Sequence, residues 1–473
     1  MSQPITRRKL LKHLAAGGAA AGAAAFAVPN ILADPAPNAK LGTAVIGCVN
    51  QGKPAVAAAA GERLVALCDV DDRHLGLARD FLQKNNPDLK TAGIATFFDY
   101  RQMFDRAGKD IDAVFIATPD HHHAVASISA MKLGKHVYCE KPLAHSIGEV
   151  RAMQAAARKF KVVTQMGNHH HSSESIRRLC EYIWAGAIGN VLETYSWART
   201  GRGGMGGRPP TLPVPAGLHW DEWIGPAAYR EYHANLHPLL WRSWWEFGDG
   251  SVGDWGCHNL DGVFMALRLG TPASVEALEQ VGGSQERYPL ANAIRWTFPA
   301  RGDMPPVKVH WYDGFKGTAE ELAKLDPNNP EGEHNRPPIV DELEKKYNRK
   351  LTDGGAIFVG DKGILVTGNY CESPRLVPEE KMKAFPVPAK TLPRVRKGLN
   401  HYTDFLRACK EGGQAPSSHF DYAGPLTEIV LLGCLAERAG VGHKVEWDPV
   451  AMRTNLPELE PLVHRQYRKG WEL

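Results

Sequence analysis

The chain has 473 residues, of which 43% are hydrophobic and 23% are charged, and its formal net charge is +4. This length exceeds one ordinary hydrophobic core and predicts two or three domains of globular composition. The lysines and arginines are spread along the chain without a dense basic run, so no nucleic-acid partner is expected.

The N-terminal residues have a pattern of their own. Residues 6–12 read Thr-Arg-Arg-Lys-Leu-Leu-Lys, and an apolar stretch rich in Ala and Gly runs from Leu14 to Val28. A Tat signal peptide typically has twin arginines in its N-terminal region, a weakly hydrophobic central region and a polar C-terminal region. We expect residues 1–33 to be such a signal, recognised by the Tat export machinery, with a periplasmic or otherwise extracytoplasmic mature protein. A cytoplasmic tail or a membrane anchor is the alternative, although the stretch is short for a span.

Apolar strand-like runs alternate with helical segments from residue 40 to residue 164. The runs are 41–47, 64–69, 111–118 and 136–139, and an Ala-rich helix is expected at 54–60. This alternation is typical of a doubly wound parallel sheet, so we predict an α/β protein with an N-terminal Rossmann domain over residues 40–164.

The first strand leads into a glycine pattern that is typical of dinucleotide binding. Gly47 would make the tight turn, Gly52 would allow close helix packing, and Asp69 lies where a carboxylate can accept bonds from the adenosine ribose. A carboxylate there repels a 2′-phosphate, which favours NAD over NADP, although Arg73 could weaken that preference. Val49 departs from the pattern, because glycine at this position lets the backbone approach the phosphates.

Two motifs follow the fourth and fifth strands: Thr118-Pro119-Asp120 and Glu140-Lys141-Pro142. With Gln165-Met-Gly-Asn168, Gly253-Asp254-Trp-Gly-Cys-His258 and Phe358-Val-Gly-Asp-Lys-Gly363, the chain resembles the glucose–fructose oxidoreductase and inositol dehydrogenase family (Gfo/Idh/MocA). The resemblance covers nearly all of the mature chain.

The resemblance implies a C-terminal α/β domain, residues 165–473, with a large, open, mostly antiparallel sheet that often serves as an oligomer interface. It implies that the cofactor-binding residues include Thr118, Pro119, His123 and Glu140. It also implies that Lys141 lies beside the nicotinamide, facing Asp254 and His258 across the domain cleft.

The residue types support a catalytic role for these three side chains. Asp254 and His258 are four residues apart and share one face of a helix. Histidine is the natural base for a hydroxyl proton, a carboxylate one turn away can orient it, and Lys141 can stabilise the developing charge on oxygen. The alternative is a helix-start carboxylate beside a core histidine.

Two histidine triplets, 121–123 and 169–171, do not predict a metal site. Consecutive side chains on a strand point to opposite faces, so three neighbouring imidazoles rarely chelate one ion. His169 is instead a candidate for the substrate cleft.

Six of the twelve tryptophans lie between residues 201 and 257. Aromatic rings stack on pyranose faces, so Trp241 and Arg242 are candidates for substrate binding, while packing anchors are the alternative reading. We expect residues 315–353 to form a surface loop, and residues 399–410 and 426–439 to form amphipathic helices.

These patterns together predict a nicotinamide-dependent oxidoreductase acting on a hydroxyl of a sugar or polyol. Because free NAD is not expected outside the cytoplasm, we expect a tightly held cofactor and possible redox-neutral turnover. An NAD-dependent glycoside hydrolase or lyase that works through a transient keto-sugar is the first alternative. A non-catalytic sugar-binding protein is the second, because of Val49.

Overall fold

The computed structural model of the chain describes residues 40–326 and 330–473. The predicted signal peptide, residues 1–33, lies outside the described residues. Within the described ranges, no helix is both long enough and apolar enough to cross a bilayer.

Six parallel strands form the first sheet, in the spatial order β3-β2-β1-β4-β5-β6. They are β1 Gly42–Ile46, β2 Arg63–Cys68, β3 Ala95–Phe97, β4 Ala113–Ile116, β5 His136–Cys139 and β6 Thr164–Met166. The strands β1 and β4 are buried along their whole length, as expected for a parallel sheet covered on both faces. The predicted doubly wound Rossmann sheet is confirmed, and its last strand extends across the predicted boundary at residue 164.

Five helices connect these strands: α1 Gly52–Ala60, α2 Asp72–Asn85, α3 Tyr100–Ala107, α4 His123–Lys132 and α5 Ile147–Phe160. Three of them begin at a side chain that accepts a hydrogen bond from the first turn, namely Asp71, Asp99 and Ser146. Such N-caps satisfy backbone donors that the helix itself leaves unpaired.

Nine strands form the second sheet, in the order β13-β12-β11-β7-β10-β9-β8-β14-β15. They are β7 Val191–Ala198, β8 Ser274–Val281, β9 Ala291–Phe298, β10 Val307–Asp313, β11 Gly355–Gly360, β12 Gly363–Thr367, β13 Arg375–Val377, β14 Lys444–Asp448 and β15 Arg453–Thr454. All neighbours are antiparallel except β7 and β10. The predicted mostly antiparallel open sheet is confirmed.

The helices that follow the first domain are α6 Glu174–Trp184, α7 Trp220–Ile224, α8 Gly250–Asn259, α9 Asp261–Ala266, α10 Ala319–Leu322, α11 Pro338–Tyr347, α12 Glu379–Ala384, α13 His401–Glu411, α14 Phe420–Ala439 and α15 Glu460–Val463. The predicted helices at 399–410 and 426–439 correspond to α13 and α14. Phe405 and Leu406 of α13 pack into the core of the Rossmann domain with Phe115. A distant part of the chain therefore completes the first domain.

The expected loop at 315–353 is wrong, because the described part of this segment contains α10 and α11. Val340 and Leu343 of α11 are buried against Trp197 and Ile357 of the second sheet. This helix is stabilised by tertiary packing, which its polar and charged sequence conceals.

Residues 199–248, called the crossover segment below, connect β7 to α8 and contact the first domain on the way. His219 donates its backbone N–H to the Val70 oxygen at 2.8 Å, and its ring stacks on Phe98 at 3.9 Å. Asp72 donates its backbone N–H to the Gly217 oxygen at 2.9 Å. The segment thereby covers the edge of the sheet where β2 ends.

Candidate functional site

A pocket lies at the carboxyl edge of the parallel sheet, where β1, β2, β4 and β5 end. Six residues predicted to bind the cofactor or act beside it line it: Gly47, Asp69, Thr118, Pro119, Glu140 and Lys141. The strand order reverses between β1 and β4, and open α/β sheets bind ligands at such a switch point. The pocket is also lined by residues outside the glycine motif, namely Val70, His74, His237 and Trp471.

The two glycines of the motif occupy positions that exclude a side chain. Gly47 has a φ of +83°, and an added Cβ would lie 2.5 Å from the Ala117 oxygen. A Cβ on Gly52 would lie 1.9 Å from the Gly47 oxygen. The predicted tight turn and close helix approach are therefore both confirmed, and they leave a cradle at the start of α1 for a pyrophosphate.

The turn closes without glycine at Val49. The Val49 oxygen accepts the Gly52 N–H at 2.8 Å, and the left-handed position falls on Asn50, with a φ of +51°. Asparagine tolerates this conformation better than other residues that carry a Cβ. Val49 forms part of the pocket wall beside Asn50 and Gln51.

The carboxylate of Asp69 is held at the end of β2 by three donors. Its oxygens accept from the backbone N–H of Cys48 at 2.9 Å and of Asp71 at 3.1 Å, and lie 3.2 Å from His74 Nδ1. Burial alone would lower the pKa of His74, but the hydrogen bond and charge of Asp69 raise it. Arg73 is bound by Asp71, through Nε at 3.0 Å and Nη2 at 2.6 Å. The residues present therefore fit a ribose without a 2′-phosphate.

His123 does not line the pocket as a cofactor-binding residue would. It is fully buried, with Nδ1 2.7 Å from the Pro142 oxygen and Nε2 3.0 Å from the Thr118 oxygen. Burial lowers its pKa to about 4. His123 thus connects the loops after β4 and β5 and holds them together.

Lys141 and Asp254 meet across the cleft, 113 residues apart in sequence. Lys141 Nζ donates to Asp254 Oδ1 at 2.7 Å and to its backbone oxygen at 2.8 Å. Arg242 Nε lies 3.2 Å from the same Oδ1, and Arg202 Nε lies 3.4 Å from Oδ2. Burial alone would raise the pKa of Asp254, but Lys141, Arg242 and Arg202 hold it well below its usual range.

One expectation about Asp254 is wrong. The sequence predicted that its carboxylate orients His258 from one helical turn away, but the carboxylate faces Lys141 and the two arginines instead. Three cations attract an anion more strongly than a neutral imidazole does. Asp254 therefore orients Lys141.

His258 lies on α8 and is 6% exposed. Burial lowers its pKa well below the usual value, with further lowering by the charge of Lys141, so the ring is neutral near pH 7. Nδ1 is buried and has no hydrogen-bond partner among the described residues. An unpaired buried acceptor or donor is costly and marks a position where a ligand can bind.

Three aromatic rings lie close to His258, namely those of His169, Trp255 and Tyr370. The His258 ring lies 5.4 Å from His169 and 4.9 Å from Tyr370. Tyr370 also stacks on Trp255 at 5.6 Å and on His170 at 4.1 Å. The predicted substrate residue His169 is thus near His258, and Trp255 and Tyr370 are half-buried and were missed.

The tryptophans singled out earlier are mostly packing residues. Trp244 is fully buried and Trp245 nearly so, whereas Trp241 lines the pocket, with the Arg242 guanidinium 4.2 Å from its ring. Trp241 and Arg242 therefore remain candidates for substrate binding, because both line the pocket.

Both histidine triplets have structural partners. His121 and His122 each contact the Trp223 oxygen, at 3.0 and 2.9 Å, and His171 Nδ1 lies 3.0 Å from Asp261. Residues 169–172 form a 3₁₀ turn, not the strand that the sequence argument assumed.

Sequence reasoning missed a buried pair of carboxyl groups next to Lys141. Asp120 lines the pocket, and burial raises its pKa to about 7, with the charge of Arg242 opposing. Asp249 is 2% exposed, and its pKa is raised by burial and by Asp120, to which it is hydrogen-bonded. Two adjacent buried carboxyls cannot both ionise readily, so burial and their mutual repulsion raise the pKa of both. Only folding brings these two residues together.

Two domain models of one family match the chain in order. Residues 41–168 match the Gfo/Idh/MocA oxidoreductase family, NAD-binding Rossmann fold, and residues 191–283 match the family's C-terminal alpha/beta domain.

Individual relatives match different shares of this chain, and the curated relative with the higher identity matches the smaller share. Levoglucosan dehydrogenase of Pseudarthrobacter phenanthrenivorans is 34% identical over 24% of this chain and 30% of its own length. A glycosyl hydrolase family 109 protein of Saccharopolyspora erythraea is 26% identical over 69% of this chain and 80% of its own length. The WlbA dehydrogenase of Bordetella pertussis, solved with NADH and UDP-GlcNAcA, has a TM-score of 0.55 at 16% identity, covering 86% of this chain and 99% of that one.

The fold and the pocket define the first domain as an NAD-binding Rossmann domain. Over residues 41–168 and 191–283 the chain carries the N-terminal and C-terminal domains of the Gfo/Idh/MocA family, in that order.

Proposed function

We propose that this protein is an NAD-dependent oxidoreductase that acts on a hydroxyl group of a sugar, a sugar derivative or a polyol. The observation that carries the proposal is the position of Lys141, buried at the cofactor pocket and fixed by Asp254. An ammonium has three N–H donors, and among the described residues Asp254 takes two of them. One donor remains for a substrate oxygen.

The chemistry divides between the bound cofactor and the side chains. Nicotinamide, when bound, accepts a hydride from the alcohol carbon or returns it to a carbonyl carbon. Lys141 donates a hydrogen bond to the reacting oxygen and stabilises its negative charge. His258, neutral at the working pH, accepts the hydroxyl proton during oxidation and returns it during reduction.

A carbohydrate substrate is supported by two observations. Levoglucosan dehydrogenase is a relative at 34% identity over the matched stretch. Trp255 and Tyr370 lie beside His258, and such rings stack on the apolar faces of pyranoses.

A second candidate is glycoside cleavage through a transient keto-sugar. The glycosyl hydrolase family 109 protein matches this chain over 80% of its own length, which is more than levoglucosan dehydrogenase does. The same Lys141 and His258 would perform the initial oxidation. Release of an aryl alcohol from an aryl glycoside without accumulation of reduced cofactor distinguishes this activity from simple oxidation.

The function is tested with purified holoprotein. The bound dinucleotide is released by denaturation and identified by mass spectrometry, and a panel of sugars is then screened for a change in absorbance at 340 nm. We expect NAD and at least one sugar that reduces it. A protein that binds neither added nor endogenous dinucleotide, or whose cofactor responds to no sugar, rejects the proposal and leaves the non-catalytic alternative.

We also propose that the protein is exported through the Tat system and retains its cofactor outside the cytoplasm, which favours redox-neutral turnover. The twin-arginine pattern in residues 1–33 supports export. Retention is supported by the crossover segment, because His237 lines the pocket and lies 3.0 Å from Asp71, beside the Asp69 carboxylate. Trp223 and Trp471 close further parts of the same pocket.

Replacement of His237 by alanine tests retention. Loss of its contact with Asp71 opens the adenosine side of the pocket, so we expect the NAD dissociation rate to rise about 10-fold, the effect of one lost hydrogen bond to a charged group. The rate is measured by exchange into radiolabelled NAD. His443→Ala, at an exposed position, serves as the matched control. Equal rates in wild type and His237→Ala would contradict retention by this segment.

A homo-oligomer formed through the second sheet is also proposed. Residues on β8, β9 and β10, including Glu276, Arg295 and Lys308, are partly or fully exposed on that sheet. Light scattering at two protein concentrations, for wild type and for Arg295→Glu, measures the assembly.

A further inference from the structure

A cavity separate from the cofactor pocket lies on the far side of Arg242. It has a volume of about 340 Å³, within the range of small-molecule sites. Three arginines line it, namely Arg202, Arg242 and Arg287, and we call it the arginine cavity. Asp326 is the only acidic residue among the described residues that line it.

Arg287 is half-buried in the wall of this cavity and has no carboxylate partner among the described residues. No Asp or Glu oxygen of the described residues lies within 4.0 Å of its guanidinium, and its buried Nε has no hydrogen-bond partner. The Arg287 guanidinium lies over the Trp244 ring, with Cζ 4.5 Å from the ring centroid, and its Nη2 donates to the Gly203 oxygen at 3.4 Å. Burial, together with the charge of Arg230, lowers the pKa of Arg287 to about 10, so the group stays charged at neutral pH.

Gly204 of the crossover segment makes room for this arginine. A Cβ on Gly204 would lie 2.2 Å from Arg287 Cζ. The glycine therefore lets the backbone pass close to a cation that has no carboxylate partner among the described residues. Burying a charged group without a counter-ion lowers the stability of the fold. Such a group is therefore expected at a binding site rather than in a hydrophobic core.

Arg242 connects the arginine cavity to the reactive centre. It lines both cavities, and its Nε lies 3.2 Å from the Asp254 oxygen that also accepts from Lys141. A molecule bound against Arg287 would therefore extend toward Lys141 past a second guanidinium. Guanidinium groups pair with carboxylates and phosphates through two parallel hydrogen bonds.

We propose that the arginine cavity binds the anionic group of an acidic sugar, a carboxylate or a phosphate, while Lys141 and His258 act on a hydroxyl of the same molecule. This proposal rests on the proposed function and specifies its substrate class. A neutral sugar would leave Arg287 without an anion.

The test uses NAD-loaded full-length protein and isothermal calorimetry with three probes: D-glucuronate, D-glucose 6-phosphate and D-glucose. We expect at least one anionic probe to bind about 10- to 100-fold more tightly than glucose, as charge-assisted hydrogen bonds allow. Tighter binding of glucuronate identifies a carboxylate, and tighter binding of the phosphate ester identifies a phosphate.

The variants Arg287→Gln and Arg287→Lys assign the effect to the cavity. We expect Arg287→Gln to lower the affinity for the preferred anion at least 10-fold and to leave the affinity for glucose unchanged. We expect Arg287→Lys to retain part of the affinity for the anion. Arg208→Gln, on an exposed arginine of the same segment, is the control.

Glucose binding as tightly as both anionic probes, no binding of either anion, or full anion affinity in Arg287→Gln overturns the proposal. Reduction of the cofactor by neutral sugars alone would overturn it while leaving the proposed function intact.

Discussion

Replacement of Lys141 by alanine lowers kcat for sugar oxidation by about 10³-fold or more, because the reacting oxygen loses the donor that stabilises its charge. Lys141 is also the cation that bonds the Asp254 carboxylate at 2.7 Å. Without it, Asp254 still pairs with Arg242 and Arg202, so the buried carboxylate keeps two counter-charges and the fold persists. The measurement is single-turnover reduction of bound NAD, followed at 340 nm, with the sugar identified in the screen.

Two readouts separate a chemical defect from a binding defect. The Lys141→Ala protein should retain NAD, because Asp69 and the Gly47 turn lie at the other end of the pocket and remain intact. Lys132→Ala, on the exposed end of α4, is the matched control. A Lys141→Ala protein with wild-type turnover would refute the site, and loss of NAD together with turnover would assign Lys141 to cofactor binding instead.

The cofactor-binding side of the site could be predicted because residues that directly follow parallel strands lie together in space. Gly47, Asp69, Thr118 and Lys141 each follow a buried strand, and the carboxyl ends of such strands meet at one edge of the sheet. The glycines at positions 47 and 52 could be predicted because a tight turn and a close helix approach leave no space for a Cβ, and the structure has both features. Each of these predictions required only local sequence and the alternation of elements.

The partner of Asp254 could not be predicted in the same way. A spacing of four residues places Asp254 and His258 on one helix face, but it does not say what approaches that face. Arg202 and Arg242 come from the crossover segment and Lys141 from the first domain. Their combined charge decides the orientation of the carboxylate, and no local pattern reveals that combination.

Contacts between distant segments were missed for the same physical reason. His237 and Asp71 are 166 residues apart, and α13 completes the core of a domain that precedes it by more than 200 residues. The helix α11 was missed because its polar exposed face dominates its composition, while only Val340 and Leu343 of its apolar residues are fully buried in the cluster. Tertiary contacts, rather than propensity, determine these features.

The site combines one fixed cation, Lys141, with one neutral imidazole, His258, and burial with nearby charges explains both states. Lys141 stays paired because Asp254 is held ionised by three cations. His258 stays neutral because burial and the nearby charge of Lys141 disfavour its protonated form. The same environment therefore suits the proposed roles, in which Lys141 donates a hydrogen bond and His258 accepts a proton.

Replacement of His258 by glutamine lowers kcat/KM by about 10²- to 10⁴-fold, the contribution of a positioned general base. Because the pKa of His258 is held well below its usual value, the wild-type activity that depends on the neutral ring is lost only as the pH falls through that low pKa. We expect the wild-type acid limb of kcat/KM to lie well below pH 6.5, and the His258→Gln protein to lack it.

The pH dependence of the free energy of unfolding independently tests whether His258 is neutral in the folded protein. Below about pH 6.5 the unfolded chain protonates this histidine while the folded protein keeps it neutral, so the histidine reduces the free energy of unfolding as the pH falls. His258→Gln removes that penalty, so the difference in free energy of unfolding between variant and wild type should shift in favour of the variant from pH 7.5 to pH 5.5 in urea titrations. His443→Ala, at an exposed position, controls for histidine loss in general. A His258→Gln protein that keeps both the wild-type rate and the acid limb would show that another group takes the proton.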